Sequence, residues 1–324
     1  MLKEILTTII MGLILTSLGF AGPIKLGVSD WPGWVAWYIA KEKGFFKSEG
    51  INVELVWFST YSDSISAFAS GQLDANSQTL SDTIPLASKG MKIKVILVND
   101  NSNGNDAIVA KNYIKTINDL RGKKVAVEVG AIDHFFLLYV LQKYGLTEKD
   151  VQIINMTTQD AAVALLEGKV DAAAVWEPWI SRIVKSKQAH VLISSKDTPG
   201  LIPDILVVHE ESLKKNYNEY VKLARVWFRT VEFIKNNPSE AASIMAKVLN
   251  IKKDDVLYML KGIKFFGVQE NALALYPENK NNPLSLYRSG DLLNKYLLKF
   301  GFTNKEANLS NLIYDRVVRD ATKR

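Results

Sequence analysis

Tryptophan, carboxylate, amide and hydroxyl side chains are concentrated in five short segments that lie at or shortly after predicted strands. In chain order the segments are residues 29–34, 76–79, 103–106, 128–134 and 176–179. Four of the seven tryptophans fall within them: Trp31, Trp34, Trp176 and Trp179. In open α/β sheets, ligands collect outside the carboxyl ends of the strands, where such segments lie. We therefore predict that these residues line a binding site.

The polar side chains of the five segments are acids, amides, hydroxyls and one histidine, and none of the segments contains a lysine or an arginine. We predict no catalytic residue, no metal ligand and no cofactor. The predicted ligand-binding residues are Asp30, Trp31, Trp34, Asn76, Ser77, Gln78, Asn105, Asp106, His134, Trp176 and Glu177.

The missing basic residues bear on the kind of ligand. An inorganic anion is usually met by a basic side chain as well as by backbone N–H groups. Tryptophan faces beside carboxylates suit a cation or a flat amine-bearing ring, with each cation–π contact worth about 0.5–2 kcal/mol. A zwitterion with an amine and a sulfonate also remains compatible. We favour a small organic ligand that bears an amine.

Several of these residues also have a purely structural explanation, and that alternative stays open. Trp34 lies on a predicted helix, where it can belong to the core. Glu177 can be an acid that interacts with the dipole of a helix N-terminus. Asp106 can cap a turn, and His134 can be a surface histidine near the start of a helix.

Strands and helices alternate from Ile24 onwards, and this alternation indicates the fold class. The predicted strands are 24–28, 51–58, 73–76 and 92–98, separated by helices at 34–46, 62–69 and a segment ending at Gly90. Such alternation is typical of an α/β protein whose parallel or mixed sheet is covered by helices.

The sequence also contains an internal repeat. Residues 63–75 read DSISAFASGQLDA and residues 160–172 read DAAVALLEGKVDA, each position matching one 97 residues further on. Each copy is predicted to be a helix, a glycine turn and a short strand. Repetition of a whole supersecondary unit favours two duplicated α/β lobes.

The lobe boundaries are predicted at two polar or extended connections, 101–106 and 203–208. The first lobe is expected to comprise residues 22–105 and 206–324, and the second lobe residues 106–205. From Tyr217 onwards the pattern is mostly helical, and we expect this tail to pack back on the first lobe.

Composition excludes several classes of protein. The 324 residues include no cysteine, so disulfides, thiolate metal sites and a cysteine nucleophile are excluded. The net charge of +6 comes from 40 basic and 34 acidic residues that are interspersed, which argues against nucleic-acid binding.

Residues 1–21 contain Lys3, an apolar run and small residues at Gly19 and Ala21, a pattern that predicts a cleaved signal peptide.

Five short motifs in this order resemble those of the nitrate/sulfonate/taurine-type periplasmic solute-binding proteins. They are IKLGV at 24–28, KGFF at 43–46, SGQLD at 70–74, DLRGKKVA at 119–126 and WEPW at 176–179. The same superfamily includes proteins that bind pyrimidine precursors of thiamine. The resemblance spans nearly the whole chain after the predicted signal peptide.

The resemblance implies a type II periplasmic-binding-protein fold, in which two lobes are joined by two crossovers and hold the ligand between them. It implies a monomer in the periplasm that delivers a sulfonate-, taurine- or pyrimidine-class solute to the inner-membrane permease of an ABC transporter. Nucleic acid is not among the expected partners.

Two other functions remain open from the sequence. One is an enzyme like the thiamine-pyrimidine synthases, against which the missing cysteines and the predicted export signal argue. The other is a sensory subunit that presents its ligand to a membrane receptor, since sensing and transport need the same closure of two lobes.

Overall fold

The computed structural model of the protein describes residues 22–323, and the predicted signal peptide at 1–21 lies outside them. The described residues form eleven β-strands and fifteen α-helices, with short 3₁₀ turns between them. The strands are β1 (Ile24–Val28), β2 (Val53–Trp57), β3 (Ala75–Thr79), β4 (Ile93–Ser102), β5 (Asp106–Lys111), β6 (Lys124–Val127), β7 (Gln152–Asn155), β8 (Ala172–Trp176), β9 (Ala189–Ser194), β10 (Pro203–His209) and β11 (Ile263–Phe265). The helices are α1 (Pro32–Glu42), α2 (Phe45–Ser48), α3 (Tyr61–Ala69), α4 (Leu80–Ser88), α5 (Ile132–Lys143), α6 (Thr158–Leu166), α7 (Trp179–Lys185), α8 (Glu210–Lys215), α9 (Tyr217–Asn236), α10 (Pro238–Leu249), α11 (Lys253–Met259), α12 (Val268–Leu275), α13 (Leu286–Lys299), α14 (Leu309–Leu312) and α15 (Arg316–Thr322).

Two mixed sheets organise the molecule, as the alternation of strands and helices predicts. The first has the order β11-β4-β10-β3-β1-β2, and the second has the order β7-β6-β8-β5-β9. In the first sheet β1 is parallel to β2 and β3, whereas β10 is antiparallel to β3 and β4. In the second sheet β6 is parallel to β7 and β8, whereas β5 is antiparallel to β8 and β9.

The two sheets repeat one topology, which agrees with the sequence repeat. The order β2-β1-β3-β10-β4 has the counterpart β7-β6-β8-β5-β9. Helix α3 and strand β3 correspond to α6 and β8, and each pair is joined through a glycine with positive φ, Gly71 and Gly168. Glycine is favoured there because a Cβ disfavours the left-handed region.

The chain crosses between the sheets twice. It leaves the first sheet at Ser102, enters the second at Asp106, and returns through residues 195–202 to Pro203. The expectation that 203–208 is itself a connection is wrong, because these residues form β10 within the first sheet. The expected lobe division at 206 therefore differs from the observed start of β10 by three residues.

The helical tail packs back on the first sheet, as the sequence predicts. Trp227 of α9 stacks obliquely on Trp37 of α1, with 4.6 Å between ring centroids, and both side chains are fully buried. Helices α12 and α15 lie against β4. Within the described residues no helix is both long enough and apolar enough to cross a membrane.

Asn271 of α12 holds β4 in place through a set of backbone hydrogen bonds. Its Oδ1 accepts from the N–H of Val98 at 2.8 Å, and its Nδ2 donates to the carbonyls of Val98 and Phe266, both at 3.0 Å. The side chain is fully buried. This anchor fixes the strand two residues before Asp100.

We predict that Asn271→Ala lowers the free energy of unfolding by about 2–4 kcal/mol, because it leaves buried N–H and C=O groups of β4 without partners. Denaturant unfolding of the purified protein measures the change. The control is Asn304→Ala, at an exposed position, which should change stability by less than about 0.5 kcal/mol. Equal losses in the two variants would contradict this role.

Candidate ligand-binding site

A small cavity lies where the carboxyl ends of the strands of both sheets meet. Its volume is about 240 Å³. The cavity is lined by Trp31, Trp34, Tyr61, Thr79, Asp106, Ile132, Trp176, Ile202 and Asp204.

Aromatic rings form a continuous wall from one sheet to the other. Trp31 meets Trp34 edge-on at 6.4 Å between ring centroids, and Trp34 lies 5.0 Å from Tyr61. Tyr61 in turn meets Trp176 of the second sheet at 5.8 Å and 90°. Edge-to-face pairs at such distances are favourable, so the wall stabilises the closed arrangement.

Asp30 links the sheets by two hydrogen bonds. It follows β1 in the first sheet, and its two carboxylate oxygens accept from Trp176 Nε1 at 3.1 Å and from Trp179 Nε1 at 3.0 Å. Burial in the gap raises the pKa of Asp30 to about 6, although the two indole N–H groups favour its charged form. A second link joins Glu128 to the backbone N–H of Ser62.

Asp100 and Asp204 form an acid pair at the edge of the cavity. They lie opposite each other on the paired strands β4 and β10, and both are buried. The two carboxyls interact, so that the ionised form of one disfavours ionisation of the other. Burial raises the pKa of both groups, and the neighbouring charge of Asp100 raises that of Asp204 further.

The approach of Trp31 to this pair depends on a glycine. Trp31 Nε1 donates to Asp100 Oδ1 at 3.1 Å. A Cβ on Gly33 would lie 2.2 Å from Asp100 Oδ2 and 2.4 Å from Trp31 Nε1, which no side chain can tolerate. Pro32 at the first position of α1 sets the helix start directly beside them.

Asp106 begins β5 at the first crossover, directly opposite Trp176 of β8. The carboxyl lines the cavity, and its Oδ2 has no hydrogen-bond partner among the described residues. Burial raises the pKa of Asp106 to about 7, and the charge of Glu177 acts in the same direction. A buried acceptor without a donor is a place for a ligand group or a water molecule.

Tyr61 is held by a second acid. Its Oη donates to Asp82 Oδ2 at 2.7 Å and accepts from the N–H of Thr79 at 2.9 Å. Burial raises the pKa of Asp82 to about 7. Tyr61 is thus fixed with its ring against Trp34 and Trp176.

Five of the residues predicted for the site meet at this gap. Trp31, Trp34, Asp106 and Trp176 line the cavity, and Asp30 bonds to Trp176 beside it. Their position agrees with the expectation, while their role in binding stays a prediction.

Three predicted residues lie elsewhere, because 76–79 is not a loop but the buried strand β3. Asn76 donates to Gln78 Oε1 at 2.9 Å, and Gln78 donates to Thr83 Oγ1 at 2.8 Å. Ser77 Oγ accepts from Trp37 Nε1 at 3.0 Å. These side chains bond to one another or to Trp37 and Thr83 in the core and do not line the cavity, and Asn76 Oδ1 has no partner among the described residues.

The remaining predicted residues have structural partners away from the cavity. Asn105 donates to the carbonyl of Met259 at 2.8 Å. Glu177 accepts from the N–H and the hydroxyl of Ser181 at 3.0 and 2.8 Å, so it holds the start of α7. His134 Nδ1 accepts from the N–H of Gly130 at 3.3 Å, and burial lowers the pKa of this histidine.

Sequence reasoning missed Tyr61, Thr79, Ile132, Ile202 and Asp204 as lining residues, together with Asp100 behind them. One signal was available: Asp100 lies just after the apolar run 95–98, and Asp204 lies just before the apolar run 205–208. Within residues 22–323, no group of three or more histidine, aspartate or glutamate side chains is arranged to hold a metal ion.

The geometry defines a class: two sheets of one topology, joined by two crossovers around a shared gap, form the periplasmic-binding-protein fold. The chain superposes with a TM-score of 0.75 on the periplasmic aliphatic sulphonate binding protein SsuA from Escherichia coli, with 18% identity and coverage of 92% of this chain and 99% of the other. Residues 31–241 match the family described as NMT1/THI5 like. The chain belongs to that family.

Two further similarities bear on function. A protein of Bacillus subtilis (strain 168) that is named for binding aliphatic sulfonates is 31% identical over 229 residues, which cover 69% of each chain. The desulfurization enzyme DSZB has a TM-score of 0.66 at 14% identity, covering 92% of this chain and 98% of the other. The fold alone therefore does not separate binding proteins from enzymes.

We predict that neutralising Asp106 changes how stability depends on pH. Because its pKa is raised on folding, Asp106 is protonated in the folded state and ionised in the unfolded state between about pH 4 and about pH 7. The wild type should therefore lose stability relative to Asp106→Asn as pH rises through this range. The slope should reach at most about 1.4 kcal/mol per pH unit.

Denaturant unfolding of both proteins from pH 4 to pH 8 measures the difference. Asp291→Asn, at an exposed position, is the control and should run parallel to the wild type. A constant difference between wild type and Asp106→Asn across the range would contradict the buried, protonated state of Asp106.

Proposed function

We propose that the protein is the solute-binding subunit of an ABC importer and captures a small, amine-bearing organic solute between its two sheets. One observation carries the proposal: the aromatic and carboxylate side chains of the cavity come from both sheets, so that closing the gap completes the site. The family, the fold and the sulfonate-binding relative support a transport role.

The proposal includes the cellular setting. Residues 1–21 serve as a signal peptide that is cleaved on export, and the mature chain works as a monomer in the periplasm. There it delivers its solute to an inner-membrane permease. The periplasmic relative of the same fold supports this localisation.

The two sheets are the centres of two lobes, with the crossovers at 103–105 and 195–202 as the hinge. The sequence predicted a first lobe of residues 22–105 and 206–324 and a second lobe of residues 106–205. We keep this division, except that residues 203–205 belong to the first lobe. The bonds from Trp176 and Trp179 to Asp30 then act as a latch that forms on closure. Hinge closure around a ligand is the usual motion of such proteins.

An enzymatic role is the weaker alternative. His134 lies outside the cavity, and no histidine lines it among the described residues. The carboxyls of the cavity could transfer protons, but a binding site for an amine needs them equally. A sensory role needs the same closure and differs only in the membrane partner.

Native mass spectrometry of the freshly purified protein, followed by thermal-shift measurements with amines, pyrimidines, sulfonates and nitrate, tests the proposal. A true ligand at 100 times its Kd stabilises the folded state by about 2.7 kcal/mol. Small-angle scattering should also show a smaller radius of gyration with ligand than without it. No bound solute and no ligand-induced change with any class would refute a binding role.

We predict that Trp176→Ala abolishes the ligand-induced thermal shift while the ligand-free protein stays folded. The substitution removes one aromatic wall and one bond to Asp30. Trp57→Ala is the matched control, because Trp57 is 38% exposed on the outer strand β2. An unchanged shift in Trp176→Ala would remove this residue from the site.

A further inference from the structure

We propose that the solute is a compact organic monocation with N–H groups, of the alkylammonium or amidinium kind, rather than a sulfonate or another anion. Its N–H groups would bond to Asp106 and to the acid pair Asp100–Asp204, and its faces would contact Trp31, Trp34 and Trp176. This inference rests on the proposed binding function and names the charge of the ligand, which the names of the relatives would not suggest.

The first argument is the distribution of buried charge. Within residues 22–323 the buried acids gather around the gap, and several of them interact electrostatically with one another. They are Asp82, Asp100, Asp106, Glu128, Asp133, Glu177 and Asp204. Buried charges in proteins are normally paired. Among the described residues no lysine, arginine or histidine lines the cavity, and Lys185 acts on Glu177 alone of the acids at its edge.

The one buried lysine or arginine within residues 22–323 cannot supply that partner. Lys94 lies near the start of β4, whereas Asp100 lies toward its end. Its Nζ donates to Asn311 Oδ1 at 2.8 Å and lies 3.9 Å from Glu210. A cationic solute would therefore be the positive charge that the gap lacks.

The second argument concerns the helix N-termini that face the gap. Helix N-termini are the natural binding places for anions. Here carboxylates of the protein already interact with three of them. Glu128 accepts from Ser62 in α3, Glu177 accepts from Ser181 in α7, and the N–H of Ile132 at the start of α5 favours the charged form of Asp82.

A sulfonate or nitrate in this cavity would therefore meet the repulsion of the acids without the compensating N–H groups. A zwitterion would place its anionic end in the same surroundings. Both remain outcomes of the test below, since a protonated carboxyl can donate a hydrogen bond to an anion.

The third argument concerns hydrogen-bond donors. Asp100 Oδ2, Asp106 Oδ2 and Asp204 Oδ2 have no hydrogen-bond partner among the described residues. A quaternary ammonium would leave these acceptors unsatisfied, whereas an N–H cation would satisfy them with charge-assisted bonds. Trp34 Nε1 also lacks an acceptor within residues 22–323, which leaves room for one acceptor atom on the same solute.

Charge complementarity gives the binding a definite dependence on pH. The titratable groups around the gap are Asp30, Tyr61, Asp82, Asp100, Asp106, Glu128, Asp133, Glu177 and Asp204, from elements of both sheets. A cation favours their ionised forms and displaces protons, so its affinity should rise with pH. Each displaced proton contributes at most about a tenfold change in Kd per pH unit. An anion that accepts from protonated acids would show the opposite dependence.

The test is calorimetry and thermal shift of the purified protein at pH 6 and pH 8. The compounds are the chlorides of methylammonium, acetamidinium, tetramethylammonium and calcium, together with taurine and sodium ethanesulfonate. We expect methylammonium or acetamidinium to bind, with a Kd at least threefold lower at pH 8 than at pH 6. Tetramethylammonium should bind at least tenfold more weakly than the better of the two.

Two variants report on the carboxyls separately. Asp106→Asn and Asp204→Asn should each raise the Kd for the bound N–H cation at least tenfold, and the use of two variants covers the case in which one fails to fold. Asp291→Asn, on the exposed face of α13, should leave the Kd unchanged. Wild-type affinity in both cavity variants would overturn the proposal.

The outcomes separate this inference from the proposed function. Binding of taurine or ethanesulfonate that weakens as pH rises overturns the cationic ligand and leaves a solute-binding role intact. Stabilisation by calcium alone overturns it in favour of a metal ion. No binding of any N–H cation also overturns it, and if native mass spectrometry then finds no solute, the proposed function fails as well.

Discussion

Carboxyl groups are buried around a cavity that no basic side chain lines within residues 22–323, and much of the local structure follows from that condition. Ionised acids cannot be desolvated together at tolerable free energy, so part of the cluster must carry protons. Burial shifts the pKa of Asp100, Asp204 and Asp106 upwards. The indole N–H groups that bond to Asp30 and Asp100 act in the opposite direction, because they favour the charged forms of these acids.

The same condition explains why the gap closes so tightly. Hydrogen bonds and ring contacts cross it at Asp30, Tyr61 and Glu128, and each removes polar or aromatic surface from water. Further contacts join the helical tail to the second half, through the rings of Phe135 and Phe300, the rings of Tyr139 and Tyr296, and the ion pair Lys185–Asp255. The two halves are linked covalently by two short crossovers. Such an interface suits a hinge that opens and closes, since opening it disrupts neither sheet.

Periodicity and repetition in the sequence predicted the two sheets and their equivalence, because both patterns reflect interactions between residues close in sequence. The repeat of 63–75 at 160–172 predicted two equivalent units, and the sheets have the same strand order. The prediction went wrong where polar residues sit inside a strand. Asn76, Ser77 and Gln78 look like a loop, but they bond to one another and to Trp37 and Thr83, so β3 can carry them through the core. Asp204 was missed because only the long-range pairing of β10 with β4 brings it beside Asp100.

The fold itself does not determine the charge of the ligand. Strand ends and helix N-termini supply backbone N–H groups that attract anions in any protein of this architecture. Side chains decide whether those groups remain free for a solute. In this chain Glu128 and Glu177 accept hydrogen bonds from two of these N–H groups, so those two groups are not free for an anionic solute. What is left facing the cavity is a set of acceptors and indole faces, and the complementary partner of such a surface is a cation with hydrogens to donate.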